Sequence, residues 1–176
     1  LMNQYLKRYD FWNLKTLLRG KLTDANEEDV FDMLIPVGSL RIEKLKTLFK
    51  MQAREIIESS GIISMRDFED ALNNFEQTKN LSEIENLFDY HYYLDSVAFA
   101  EKIPKHGRLF KEFFKYEFDV YNIKLLLKKV FFGLDKNQIQ KFVIFKGRDL
   151  RKQNIINMLN ANDMQHLRRE ISKTNY

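Results

Sequence analysis

The chain has 176 residues, 44% of them hydrophobic with 15 Phe and 8 Tyr, which is enough to fill one domain core or two small ones. Six Gly and two Pro leave few turn residues for a many-stranded sheet, and zero Cys exclude a disulfide scaffold or a thiolate zinc site. No stretch approaches the roughly 20 consecutive apolar residues of a membrane span, and the net charge of +4 divides unevenly, with 13 Lys+Arg against 18 Asp+Glu over residues 1–104 and 16 against 7 over residues 105–176.

The opening "LMNQYLKRYD" has no apolar signal core and resembles neither a secretory leader nor a natural translation start, so a fragment is expected. Tyr5, Leu6, Tyr9, Trp12, Leu14, Leu17 and Leu18 recur at three- and four-residue steps and predict a helix over 2–21 with one buried stripe. Asn26 or Asp24 can cap a short helix over 27–33, and Pro36 with Gly38 then breaks the chain. Ser39 is a candidate cap for a helix carrying Leu40, Ile42, Leu45, Leu48 and Phe49, and "AREIIESSG" predicts another closed at Gly61.

Ser64 with Asp67 and Ser82 with Glu85 have capping-box spacing, which places helices over 64–79 and 82–103. Pro104 and Gly107 separate these from a long helix over 108–132, marked by Leu109, Phe110, Phe113, Phe114, Phe118, Tyr121, Leu125 and Leu126. Short helices over 136–142, 149–159 and 163–172 complete an all-α reading with no sheet. Two helical units are expected, residues 1–104 and 105–176.

The units share a phrase. "YDFWNLKTLL" at Tyr9 returns as "FDVYNIKLLL" at Phe118. At a shift of 109, Asp10, Asn13, Lys15, Leu17, Leu18, Ile35 and Gly38 meet Asp119, Asn122, Lys124, Leu126, Leu127, Ile144 and Gly147, seven identities in 29 ungapped positions. Such a match indicates an internal duplication.

Asp10 and Asn13 fall on one helix face while Lys15 points elsewhere, so the trio does not converge as catalytic groups do. Short polar side chains beside a glycine turn instead bond backbone groups, and the same role is expected of Asp119 and Asn122. His91, His106 and His166 are far apart in sequence and read as surface residues, with no metal-ligand spacing. Glu85 and Asp89, one turn apart, read as a solvated or salt-bridged edge. No phosphate loop, nucleophile elbow or H-E-x-x-H segment occurs, and neither catalytic, metal nor cofactor residues are assigned. Lys146, Arg148, Arg151 and Lys152 in "FKGRDLRK" form a basic patch near a helix start, a candidate partner-binding face. Nucleic acid ranks below a solvated basic face or an acidic protein partner, because no recognised binding motif frames the basic residues, which are scattered over about 70 positions.

"YDFWNLKTLLRGK" with "LIPVGSL", then "IENLFDYHYY", then "EFDVYNIKLLLKK" with "FVIFKGRDL" resemble, in this order, the C subunit of archaeal and bacterial V-type ATPases, called the d subunit in eukaryotes. The resemblance runs from about Tyr9 to Leu150. It implies an all-helical, non-catalytic protein of similar helical units arranged as a funnel. Such a protein is peripheral on the cytoplasmic face of a membrane, without a span, small-molecule substrate or cofactor. Its implied partners are the central-stalk subunits and the proteolipid ring, and it transmits torque between them during ion transport or ATP synthesis. The alternative is a basic helical nucleic-acid-binding module. The family carries three units where this sequence shows two, so segments upstream and downstream are expected to be missing, or the chain is a divergent short form. Arg148 stands where the family often has a second glycine, and Lys128 where the first unit has Arg19.

Overall fold

The computed structural model of the chain describes residues 2–176, except the side chain of His106. Among these residues the fold is all-α, without a strand. Contacts divide the chain into two compact units, Leu1–Tyr92 and Tyr93–Tyr176, the boundary falling inside one long helix.

Unit 1 begins with α1 (Met2–Leu22), followed by α2 (Glu27–Asp32), α3 (Ile42–Phe49), α4 (Ala53–Ser60) and α5 (Glu69–Thr78). It closes with the first half of α6 (Ser82–Glu101). The face that α1 buries holds Phe11, Leu14, Leu17 and Leu18, and Asp10 and Asn13 lie within it. Trp12, expected in the buried stripe, is exposed. Apolar periodicity misplaces the stripe because two of its members are polar. Leu45, Leu48, Ile56, Ile57, Phe68 and Phe88 complete a core whose largest members are wholly buried.

Unit 2 takes the second half of α6, then α7 (Arg108–Phe132), α8 (Lys136–Gln140), α9 (Lys152–Leu159) and α10 (Met164–Ile171). Here α7 buries Phe114, Phe118, Tyr121, Leu125 and Leu126 against Ile139, Phe142, Ile155, Met158 and Leu167. Leu109, Phe110 and Phe113, which helped to mark this helix by their spacing, are exposed.

Several helix starts differ from the local signals. Ser39 caps nothing: α3 begins at Ile42 after Arg41, and Ser39 is drawn instead to Asp10. Ser64 forms no side-chain cap, Asp67 faces His91, and a single 3₁₀ turn (Met65–Asp67) precedes a shorter α5. Glu85 does not reach back to Ser82 but pairs with Arg19, while the Ser82 amide donates to Asn80 Oδ1 at 2.9 Å. In each case a distant charge or backbone group outcompetes the local partner. Asp149 lies outside α9, because its amide is bound elsewhere.

Asn26, Asp135 and Asp163 do cap their helices, each side chain accepting from a first-turn amide. Asp135 accepts from two, Asn137 and Gln138. Asp135→Ala should therefore lower stability by about 1 kcal/mol, read as a shifted denaturant midpoint with an unchanged slope.

Candidate functional site

The polar residues singled out by the repeat form two buried clamps. On α1, Asp10 is fully buried, its Oδ2 accepting from the Ser39 amide and the Ser39 hydroxyl at 2.8 Å each and its Oδ1 from the Leu40 amide at 2.8 Å. One turn on, the Asn13 carboxamide donates to the Ile35 carbonyl at 2.9 Å and accepts from the Ile35 amide at 2.8 Å. The amide of a side chain thus takes the place of a neighbouring strand. Together they hold the irregular segment between α2 and α3, whose inward-facing backbone groups have no helix to pair with.

Unit 2 repeats the device. Asn122 donates to the Ile144 carbonyl at 2.7 Å and accepts from the Ile144 amide at 3.0 Å. Asp119 Oδ2 accepts from the amides of Arg148, Asp149 and Leu150 at 2.9, 2.7 and 3.2 Å, and from the Tyr176 hydroxyl at 3.0 Å. The register steps here: Leu40 and Arg41 correspond to Leu150 and Arg151, one residue beyond the shift of 109. Arg148–Asp149 occupies the place of Ser39 alone, and the added amide with the Tyr176 hydroxyl stands in for the Ser39 hydroxyl.

The glycines follow from the carboxylates. A Cβ on Gly38 would lie 2.2 Å from Asp10 Oδ1, and one on Gly147 only 1.7 Å from Asp119 Oδ1. Asp119 Oδ1, buried without a hydrogen-bond partner, rests against the Gly147 backbone where a side chain would begin. That close approach is a weak C–H···O contact at best.

The lysines of the repeat diverge. Lys15 Nζ pairs with Asp89 at 2.6 Å, and Arg19 Nε meets Glu85 at 3.0 Å, so two cations one turn apart on α1 grip two acids one turn apart on α6. Lys124, the counterpart of Lys15, is exposed. Lys129, at the position of Gly20, is buried and donates to the Ala161 carbonyl at 2.6 Å; burial first, then Lys136, pushes its ammonium below the usual range.

In the basic patch, Lys146 pairs with Glu101 at 3.0 Å and Arg148 lies 3.6 Å from Asp149, so two of its four charges have acid neighbours. The Arg151 amide is capped by Asn154, and Lys152 lies over the Phe145 ring at 5.8 Å. His91 is half-buried rather than on the surface, stacked on Phe68 and 3.5 Å from Asp67. His166 lies 3.9 Å from Glu170, and the side chain of His106 is outside the described residues. Among the described residues no group of three or more His, Asp or Glu converges as metal ligands, and no helix is long and apolar enough to cross a membrane. Sequence reasoning missed Tyr176 and Lys129, whose roles depend on contacts over 57 and 32 positions.

A family model described as ATP synthase (C/AC39) subunit matches residues 1–176. The chain belongs to that family. Among similar curated proteins, the A-type ATP synthase C subunit of Methanocaldococcus jannaschii is 28% identical over the whole of this chain and 45% of its own length. That of Methanosarcina mazei is 33% identical over the whole chain and 48% of its length, and that of Methanosarcina acetivorans 35% over 88% of the chain and 43% of its length. The chain spans about half the length of these relatives. No solved structure matches it.

Asn122→Ala should cost about 1 to 3 kcal/mol, since it strands the Ile144 amide and carbonyl in the core, and Gly147→Ala should also lower the melting temperature by driving a methyl into Asp119. An unchanged thermal melt for either would contradict the clamp. The Tyr176 phenol is raised above its ordinary 10.0 by burial and then by its hydrogen bond to Asp119. The folded state therefore keeps this proton where the unfolded chain loses it. The stabilisation is complete below about pH 10 and falls away above it. Melting curves taken from neutral pH to about pH 11 should show Tyr176→Phe less stable at neutral pH and with a shallower alkaline decline than the unsubstituted chain.

Proposed function

We propose that this chain acts as a non-catalytic connector in a rotary ATPase, linking the central-stalk subunits to the membrane proteolipid ring on the cytoplasmic face and transmitting torque during ion transport or ATP synthesis. Family membership gives the complex. The observation that supports a connecting role within it is the duplicated clamp: in both units the repeated polar phrase is spent on stiffening a helix-to-loop junction. Asp10, Asn13 and Gly38 in one unit and Asp119, Asn122 and Gly147 in the other tie a long helix to the segment behind it through buried hydrogen bonds. A part that carries torque needs such stiffness more than a pocket. Lys15 and Lys124 belong to the same signature but point away from the clamps, Lys15 to fasten α6.

The partner surface we assign is the basic face of Lys146, Arg148, Arg151 and Lys152, directed to acidic or polar loops of the ring or the stalk. Exposed charges act over roughly 8 Å at physiological ionic strength, so such an interface weakens as salt rises. Replacing all four residues by Glu should reduce binding to isolated proteolipid rings by about tenfold or more at low salt, with the melting temperature preserved. Undiminished binding would remove this face from the ring interface. ATP hydrolysis by the purified chain alone would overturn the non-catalytic assignment.

A further inference from the structure

The repeat extends beyond the clamps, and its continuation leaves one surface uncovered. Helix α10 is the counterpart of α4: Asp163 and Gln52 precede them as caps, and Leu167 and Ile56 are both fully buried. In unit 1 the surface made by α1 and α4 is roofed by residues 65–92. Arg54 of α4 bonds Asn73 of α5 at 2.7 Å, Lys15 and Arg19 of α1 hold Asp89 and Glu85 of α6, and Phe11 meets Tyr92 edge to face at 5.8 Å. Beneath that roof Leu18 and Ile57 are buried, and Phe68, Phe75, Ile84 and Phe88 come down from it.

In unit 2 the equivalent surface is an open apolar groove of about 380 Å³ between α7 and α10, lined by Leu127, Met164, Gln165, Leu167, Arg168 and Ile171. Leu127, counterpart of the buried Leu18, is only half-buried, and Met164 is 47% exposed. Arg168 stands at the position of Ile57, and exposed Lys124 at that of Lys15, so the groove has an apolar floor and a cationic rim.

We infer that this groove docks an amphipathic, net-acidic α-helical segment from outside residues 1–176, its apolar side on Leu127, Met164 and Ile171 and a carboxylate opposite Arg168. Two observations specify the occupant. The roof of unit 1 carries seven acidic against two basic residues over 65–92, and it is fastened by acids to cations at the equivalent of this rim. Unit 2 repeats the floor and keeps the rim positive, with 17 Lys+Arg against 9 Asp+Glu over residues 93–176. A charged residue at the place of a core isoleucine calls for an acidic cover, and the net-acidic roof of unit 1 supplies the model for it. The curated relatives contain about as much polypeptide again as they share with this chain, a sufficient source for such a segment. The inference stands independently of the connector reading.

The probe is a dye-labelled peptide of residues 65–92, titrated into the intact chain and followed by fluorescence anisotropy. Saturable binding is expected that weakens with salt and falls about tenfold or more in Arg168→Glu and in Leu127→Asp, each checked for an unchanged helical spectrum. Leu127→Asp changes the floor; should it unfold the chain, exposed Arg168→Glu alone decides. No saturable binding at millimolar peptide, or binding that Arg168→Glu leaves intact, overturns the inference. Sedimentation of the chain alone supplies the other arm: a dimer that Arg168→Glu dissolves would give the groove to a second copy and overturn the external helix.

Discussion

A fully buried carboxylate and a carboxamide one helical turn away, reaching across to a loop that has no hydrogen-bonding scheme of its own, are what the rest of each unit is built around. The segment from Leu34 to Arg41 turns the chain between two helices along the surface, anchored inward by the buried Leu34 and Leu40. The amides of Ile35, Ser39 and Leu40, turned towards α1, have no adjacent strand or helical turn, so α1 supplies their partners from its own side chains. Burying an ionised group is expensive, and the cost is offset only where several donors converge on it. Convergence fixes the loop to the helix, which then sets where α3 begins and which of its faces meets α1. The absence of a side chain on Gly38 and Gly147 is a consequence of the same geometry.

The two copies meet that constraint with different parts. Unit 1 uses a serine hydroxyl as its additional donor; unit 2 inserts a residue, gains an amide and recruits a tyrosine hydroxyl from the far end of the chain. Where α1 has Gly20, with Val30 in the space a Cβ would need, α7 has Lys129 threading to a carbonyl past α9. Trp12 is exposed where Tyr121 is buried and bonds the Phe142 carbonyl at 3.0 Å. Geometry at the clamp has been kept while the packing around it diverged, as expected when directional hydrogen bonds constrain a polar network more tightly than apolar filling, which tolerates exchange.

The same contrast links structure to the proposed role. In unit 1 the paired cations of α1 and the paired acids of α6 bring a distant part of the chain onto the α1 and α4 surface. In unit 2 the corresponding floor lies open beneath a positive rim. A chain built of repeated units presents such a surface wherever the covering element of one repeat is supplied by polypeptide beyond it. Stiffness within units and open faces at their margins are the properties a connecting part of a larger machine combines.

Sequence alone determined the helical class, the bounds of α7 from Arg108 to Phe132, the internal duplication and the expectation that Asp10, Asn13, Asp119 and Asn122 would bond backbone beside a glycine turn. Each of these depends on composition, on spacing within one or two turns, or on a comparison of the chain with itself. Tertiary structure decided the rest. The carboxylate of Asp10 took Ser39 from a capping role, His91 drew Asp67 away from Ser64, and Arg19 drew Glu85 away from Ser82. Trp12 lay outside the buried face to which its spacing assigned it, because Asp10 and Asn13 belong to that face. Tyr176 found Asp119 and Lys129 found Ala161 across separations no local pattern encodes. A capping motif is worth about one kcal/mol, so once folding brings a second charge or an unpaired amide within reach, the choice of partner passes from neighbours in sequence to neighbours in space.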